Sequence, residues 1–415
     1  MRRALRFWWW LRRVFVAIVV LPILAGAAWL VFLGRPPAPP PPLAPDGAER
    51  AGWPSPISVG PTGHGACIRV LAIDGGGVRG LIPSLLLERI EQRTEKPIAA
   101  LFDLIVGTST GSILALGLTR PSDADATRPE YTASDIVRLF KDNAATIFPS
   151  DFALLRWVQG FFRPKYRPQA IEAVYERYFG DVRFFEALTR VAVPAYDIKN
   201  RRRIWFGETG HTGLFMKDIV RGATAVPTYF PPVRLAVQKR EVQEGYITLV
   251  DGAVFANNPV QDAFAFAQKM RPRDLKPGDD GSVLLVSVGT GAGGKKYEFE
   301  NAWGWGGISW FNPLLEILLS DPGLEVQARR VAALAGVGYL RLQPDFGDAL
   351  VSLDASTAEA IDHLTAVTRK YLDGEKKADL DILVTELKQP RSSKCRIIGR
   401  PYERPVGPRK RPVGQ

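Results

Sequence analysis

Gly107-Thr-Ser-Thr-Gly111 directly follows the largely apolar run Phe102 to Val106, and residues 112–116 continue as a predicted helix. A buried strand that breaks into Gly-x-Ser-x-Gly and then a helix is typical of a nucleophile elbow, which lifts the serine hydroxyl clear of the sheet. Gly107 and Gly111 support the turn, because a Cβ at either place would collide with neighbouring backbone. The stretch predicts an α/β fold with Ser109 as nucleophile; an ordinary Gly/Ser turn is the alternative.

Histidine is a poor candidate for activating that serine. A Ser-His-Asp triad needs a well-placed imidazole, and the chain has three histidines. His64 lies in a Gly/Pro-rich segment, His211 in a turn-like segment and His363 in the predicted helix Ala358 to Tyr371. None of these contexts favours a catalytic role.

A carboxylate is better placed. The strand-like run Tyr246 to Val250 is followed at once by Asp251-Gly252-Ala253. Ligands of open α/β sheets gather at the carboxyl ends of strands, so Asp251 and Ser109 are expected at equivalent ends of two strands. The alternative is a turn-initiating Asp-Gly pair.

A third segment, Asp74-Gly-Gly-Gly-Val-Arg-Gly80, lies between the apolar strand Arg69 to Ile73 and the predicted helix Leu81 to Arg93. Successive glycines at a strand-to-helix turn leave backbone N–H groups free to hold an anion, including the oxyanion of a tetrahedral intermediate. The segment also fits the dinucleotide pattern Gly-x-Gly-x-x-Gly. That alternative is disfavoured, because the acidic residues about twenty positions on sit in a helix end and loop and the second strand ends in Gly107-Thr-Ser109.

In this order the three motifs resemble those of the patatin-like phospholipases. The third motif reads Asp-Gly-Ala rather than Asp-Gly-Gly, and the likeness extends over residues 66–387. The resemblance implies a three-layer α/β domain with a central, mostly parallel sheet, acting on lipid acyl esters without metal or cofactor. A catalytically silent, lipid-binding scaffold of the same fold is the alternative.

The resemblance also implies roles for the motif residues. Ser109 would attack the acyl carbonyl and Asp251, beside Gly252, would accept its proton. The amides of Gly75, Gly76 and Gly77 would hold the oxyanion. Arg79 would steady this loop or meet a lipid phosphate.

The N-terminal residues predict a membrane anchor. Residues 14–33 carry no charge over a length that crosses a bilayer core of about 30 Å. Residues 1–13 form a basic arm, which by the positive-inside rule stays cytoplasmic and places the catalytic domain on the far side, the periplasm in a bacterium. A cleaved signal peptide is the alternative. Residues 34–65 are a Pro-rich linker.

The net charge of +11 comes from the two ends of the chain. Residues 1–35 hold six arginines and no acid, and the tail 388–415 holds nine Lys/Arg against one Glu, so the part between is mildly acidic. This distribution argues against a nucleic-acid partner and predicts a disordered basic tail. It leaves the oligomeric state open.

The two cysteines, Cys67 beside the first strand and Cys395 in the tail, are placed so as to argue against a structural disulfide.

Overall fold

The computed structural model describes residues 67–149, 164–208, 213–237, 245–270, 283–294, 296–305, 310, 313–314, 317 and 337–390. The predicted arm, anchor at 14–33 and linker, and most of the tail, lie outside these ranges and stay predictions. Within the described ranges, no helix combines the length and the apolar character that a bilayer crossing requires.

The described residues form one eight-stranded sheet. Its strands are β1 (Ile68–Ile73), β2 (Leu104–Gly107), β3 (Arg190–Asp197), β4 (Arg202–Phe206), β5 (Val233–Ala236), β6 (Tyr246–Asp251), β7 (Val283–Val288) and β8 (Gly338–Leu342). The order across the sheet is β5-β6-β3-β2-β1-β7-β8, and β4 pairs with β3.

The sheet is mixed: its parallel part matches the expectation, and its antiparallel part was not predicted. β1, β2, β3, β7 and β8 run parallel, while β4 and β6 pair antiparallel with β3, and β5 antiparallel with β6. The short connection from Asp197 to Arg202 explains β4, since a parallel return needs a crossover of about a dozen residues.

Helices cover both faces of the sheet, so the domain has three layers. They are α1 (Leu81–Thr94), α2 (Ile98–Leu101), α3 (Thr110–Gly117), α4 (Ala133–Ile147), α5 (Pro168–Phe179), α6 (Met216–Ala223), α7 (Ala253–Ala256), α8 (Val260–Met270), α9 (Phe299–Ala302), α10 (Ala358–Asp373) and α11 (Lys377–Lys388). α8 packs on the face formed by Val70, Ala72 and Val106. Helices including α1, α3, α4 and α10 pack with Leu71, Ile73 and Ile105 on the other face.

Local sequence signals match the elements closely. The predicted helices at 81–93 and 358–371 are confirmed within two residues. The predicted strand at 102–106 begins two residues late, at Leu104, because α2 ends at Leu101 and Phe102 is its C-cap residue. All eight residues of α3 are buried, as its nearly uniform apolar character requires.

The carboxyl ends of β2 and β6 converge on one stretch of β3. Val106 of β2 pairs with Ala192, and Asp251 at the end of β6 pairs with Ala195. β3 continues past the end of β2, and β6 runs back along that extension. The two ends therefore meet from opposite directions, and not as equivalent ends of parallel strands.

Cys67 is disulfide-bonded, so the expectation against a disulfide is wrong. The chain's other cysteine, Cys395, lies outside the described residues. Nearness in space explains the error, because an Arg69 Nη2 donates to the Gln389 carbonyl oxygen at 2.9 Å. The end of the last described helix thus lies beside the start of the first strand.

Candidate active site

Ser109 occupies the sharp turn between β2 and α3. Its backbone has φ 53° and ψ −120°, a conformation that residues other than glycine rarely adopt. Ser109 is also the N-cap residue of α3. A Cβ on Gly107 would lie 2.1 Å from the Gly111 carbonyl oxygen, so only glycine permits this turn. Strained residues of this kind are held in place by their surroundings and cluster at functional sites.

The Ser109 and Asp251 side chains meet in the interior. Ser109 is 4% exposed and Asp251 is completely buried. Burial raises the pKa of the Asp251 carboxyl group, and the Ser109 hydroxyl lies close enough to that group to lower its pKa in part. Asp251 Oδ2 is buried and makes no hydrogen bond of normal geometry to the described residues. Catalytic hydrogen bonds are often poorly aligned until substrate binds.

Asp251 is held in place by backbone groups on both sides. Its Oδ1 accepts the Ala253 N–H at 2.8 Å, and its own N–H donates to the Ala225 carbonyl oxygen at 3.0 Å. Gly252 accepts the N–H groups of Phe255 and Ala256 at 3.1 and 3.0 Å, which starts α7 directly behind the carboxylate.

Burial raises the pKa of Asp251 from 3.8 to about 7, against the lowering effect of its bonds to Ser109 and Ala253. Desolvation penalises the charged carboxylate and so makes it a stronger base. A carboxylate with a pKa near neutrality can accept a hydroxyl proton far more readily than an aspartate in water.

The glycine loop after β1 lies next to Ser109. The Gly75 N–H donates to the Asn257 carbonyl oxygen at 3.0 Å, so it is not available to an oxyanion. The amides of Gly76 and Gly77 make no hydrogen bond within the described part of the chain. The predicted set of three donors therefore narrows to these two.

Close packing explains why the loop consists of glycines. A Cβ on Gly76 would lie 2.5 Å from the side chain of Thr290. Thr290 Oγ1 donates to the Gly75 carbonyl oxygen at 2.8 Å, so this threonine supports the loop from the end of β7. Sequence reasoning missed Thr290, because no local signal distinguishes it from an ordinary loop residue.

Arg79 faces the protein interior. It is 7% exposed, and its Nε donates to the Gly76 carbonyl oxygen at 3.4 Å. Of the two roles considered for it, this geometry favours steadying the loop over binding a lipid phosphate.

His363 lies on α10 and packs against Phe346, with ring centroids 5.7 Å apart. Its Nε2 is buried and makes no hydrogen bond within the described ranges. His64 and His211 lie outside those ranges. Among the described residues, no group of three His, Cys, Asp or Glu side chains is arranged to hold a metal ion.

Comparisons with known proteins bear on the family of this chain. The family model described as patatin-like phospholipase matches residues 71–264, which include Ser109 and Asp251. "Patatin-like protein 1" of Arabidopsis thaliana is 29% identical over 75% of this chain and 83% of its own. "Probable inactive patatin-3-Kuras 1" of Solanum tuberosum is 33% identical over 61% of this chain and 71% of its own. "Patatin-T5" of Solanum tuberosum is 32% identical over 59% of this chain and 67% of its own. The chain belongs to the patatin-like phospholipase family.

Proposed function

We propose that this protein is a lipid acyl hydrolase of the phospholipase A type, which cleaves acyl esters through a Ser109–Asp251 dyad. The observation that carries the proposal is the buried contact of a strained serine with a carboxyl group whose pKa is about 7. Family membership supports a hydrolase acting on lipid.

The reaction runs in two halves. Ser109 Oγ attacks the acyl carbonyl carbon while Asp251 accepts the hydroxyl proton, and the amides of Gly76 and Gly77 stabilise the oxyanion. The intermediate collapses as the leaving alcohol takes the proton from Asp251. Asp251 then removes a proton from water, the hydroxide attacks the acyl-enzyme, and the fatty acid leaves as Ser109 regains its hydrogen.

The alternative is a silent scaffold that binds lipid without cleaving it. One relative carries the word inactive in its name. Here both Ser109 and Asp251 are present and in contact, which favours an enzyme.

Activity of the full chain in neutral detergent tests the proposal. Ser109→Ala and Asp251→Asn are expected to abolish hydrolysis of a soluble acyl ester and the release of fatty acid from phosphatidylcholine. His363→Ala is the matched control and should leave turnover within about twofold, because its ring packs against Phe346 and no bond among the described residues joins it to Ser109 or Asp251. A Ser109→Ala variant as active as the wild type refutes the dyad. A collapse in His363→Ala indicates a triad instead.

We also propose that residues 14–33 anchor the chain and that the catalytic domain lies on the extracytoplasmic side. The disulfide at Cys67 supports an oxidising compartment. Protease added outside intact cells lacking an outer membrane should digest the domain; protection until the membrane is broken would refute this orientation.

A further inference from the structure

A buried arginine grips the residue that begins the glycine loop. Arg341 lies on β8 beside Ser287 of β7, which in turn pairs with Ala72 of β1. Its side chain reaches past β7 to Asp74, the residue between the end of β1 and Gly75. The two partners are 267 positions apart in the sequence.

The contact is a buried, bidentate ion pair. Arg341 Nη1 donates to Asp74 Oδ1 at 3.0 Å, and Nη2 donates to Asp74 Oδ2. Nη1 also donates to the Ser287 hydroxyl at 2.6 Å. The side chains of Arg341 and Asp74 are 5% and 7% exposed. The planar guanidinium thereby holds the carboxylate in one orientation, which a lysine cannot do.

Stability alone is a weak reason for such a pair. Removing two charges from water costs about as much as their attraction returns, and apolar replacements of similar volume are often neutral or stabilising. What the ion pair does supply is a fixed orientation of Asp74. The Asp74 N–H donates to the Val288 carbonyl oxygen at 3.0 Å, so side chain and backbone together set the plane of the peptide that enters the loop.

We infer that Arg341 is a positioning residue for the oxyanion site, which acts by aiming the Gly76 and Gly77 amides through Asp74. This inference rests on the proposed function. Misplacing catalytic groups by about 1 Å can cost about 100-fold in rate. A less tightly held Asp74 should therefore lower the rate of the reaction. Arg341 itself contacts neither Ser109 nor Asp251 in any bond described.

The test compares Arg341→Lys with the control Arg69→Lys. Arg69 is also buried, and its guanidinium donates to the carbonyl oxygens of Glu386 and Leu387 at 2.9 and 3.0 Å. It lies on the same strand as the loop but five residues earlier, about 16 Å from Asp74 at the usual rise. Both variants lose a buried guanidinium, but only Arg341 is bonded to Asp74, the residue that precedes the glycine loop.

Turnover of a soluble ester is measured per active site, counted with a phosphonate ester that reacts covalently with the activated serine. We expect Arg341→Lys to lower kcat by about 10- to 100-fold and to slow phosphonate labelling, with KM within about threefold. Arg69→Lys should keep both rates within about twofold. Ser287→Ala, which removes one bond only, should fall between them and serves if Arg341→Lys does not fold.

The outcomes separate the two claims. Suppose that the phosphonate labels Ser109 in the wild type, but kcat per labelled site is unchanged in Arg341→Lys and Ser287→Ala. This result overturns the positioning role of Arg341 and leaves the proposed hydrolase activity standing. A loss of thermal stability alone, equal in Arg341→Lys and Arg69→Lys, has the same meaning. If the phosphonate does not label the wild type, the proposed function is refuted, and so is this inference.

Discussion

Replacing Asp251 by asparagine should stop turnover and also stabilise the folded chain above neutral pH. The carboxyl group is completely buried, and burial raises its pKa from 3.8 to about 7. One pKa unit corresponds to about 1.36 kcal/mol, so the ionised carboxylate costs the fold about 4 kcal/mol. Asparagine has nearly the same shape, keeps an oxygen for the Ala253 N–H and carries no charge.

The pH window follows from the direction of the shift. Below about pH 4 the carboxyl group is protonated in both the folded and the unfolded chain, so its ionisation costs nothing. Between about pH 4 and about pH 7 the unfolded chain releases the proton while the folded chain keeps it, and the free energy of unfolding falls by up to about 1.4 kcal/mol per pH unit. Above about pH 7 the loss is complete.

Urea unfolding of the wild type and Asp251→Asn, in neutral detergent at about pH 4, 6 and 8, measures the difference. The variant should match the wild type near pH 4 and exceed it by about 4 kcal/mol near pH 8. Asp218, whose pKa burial raises to about 6, titrates in both proteins and cancels from the comparison. A gap of the same size at both ends of the range refutes the reasoning, since packing effects do not titrate.

Three further outcomes follow from the same geometry. The kcat/KM of the wild type should rise as pH increases through about 7, because only the carboxylate form of Asp251 accepts a proton; a flat profile from about pH 5 to about pH 9 contradicts this. Gly76→Ala should lower kcat by about 100-fold or more, since its Cβ would meet Thr290 at 2.5 Å, whereas Gly304→Ala, which has open space, should not change it. Asp218→Asn should stabilise the fold above about pH 6 without loss of activity, as urea titration and ester turnover will report.

The nucleophile turn and the helices were predictable because their causes are local. Gly107 and Gly111 permit the elbow at Ser109, and the segments that form α1 and α10 were recognised from neighbouring residues in the chain. Propensity, turn geometry and amphipathic spacing all act over about one or two turns of chain.

The reason given for Asp251 was incomplete, although its place was right. A strand-like run followed by Asp-Gly marks a strand end, and the sequence pattern does not carry the direction of that strand. β6 turned out to be antiparallel to β3, so its carboxyl end approaches that of β2 from the opposite direction. Strand direction depends on how the chain crosses the whole sheet.

By itself, the amino-acid sequence predicted the α/β class and the family. It also singled out Ser109, Asp251 and the glycine loop as site candidates, because each lies in a short contiguous motif. Tertiary structure alone decided that the Gly75 amide is engaged by Asn257, that Arg341 grips Asp74 and that Cys67 is bonded. Gly75 and Asn257 lie far apart in the sequence, and so do Asp74 and Arg341. Their contacts form only when folding brings distant strand ends together. The residues next to each partner in the sequence do not indicate which distant residue it will contact.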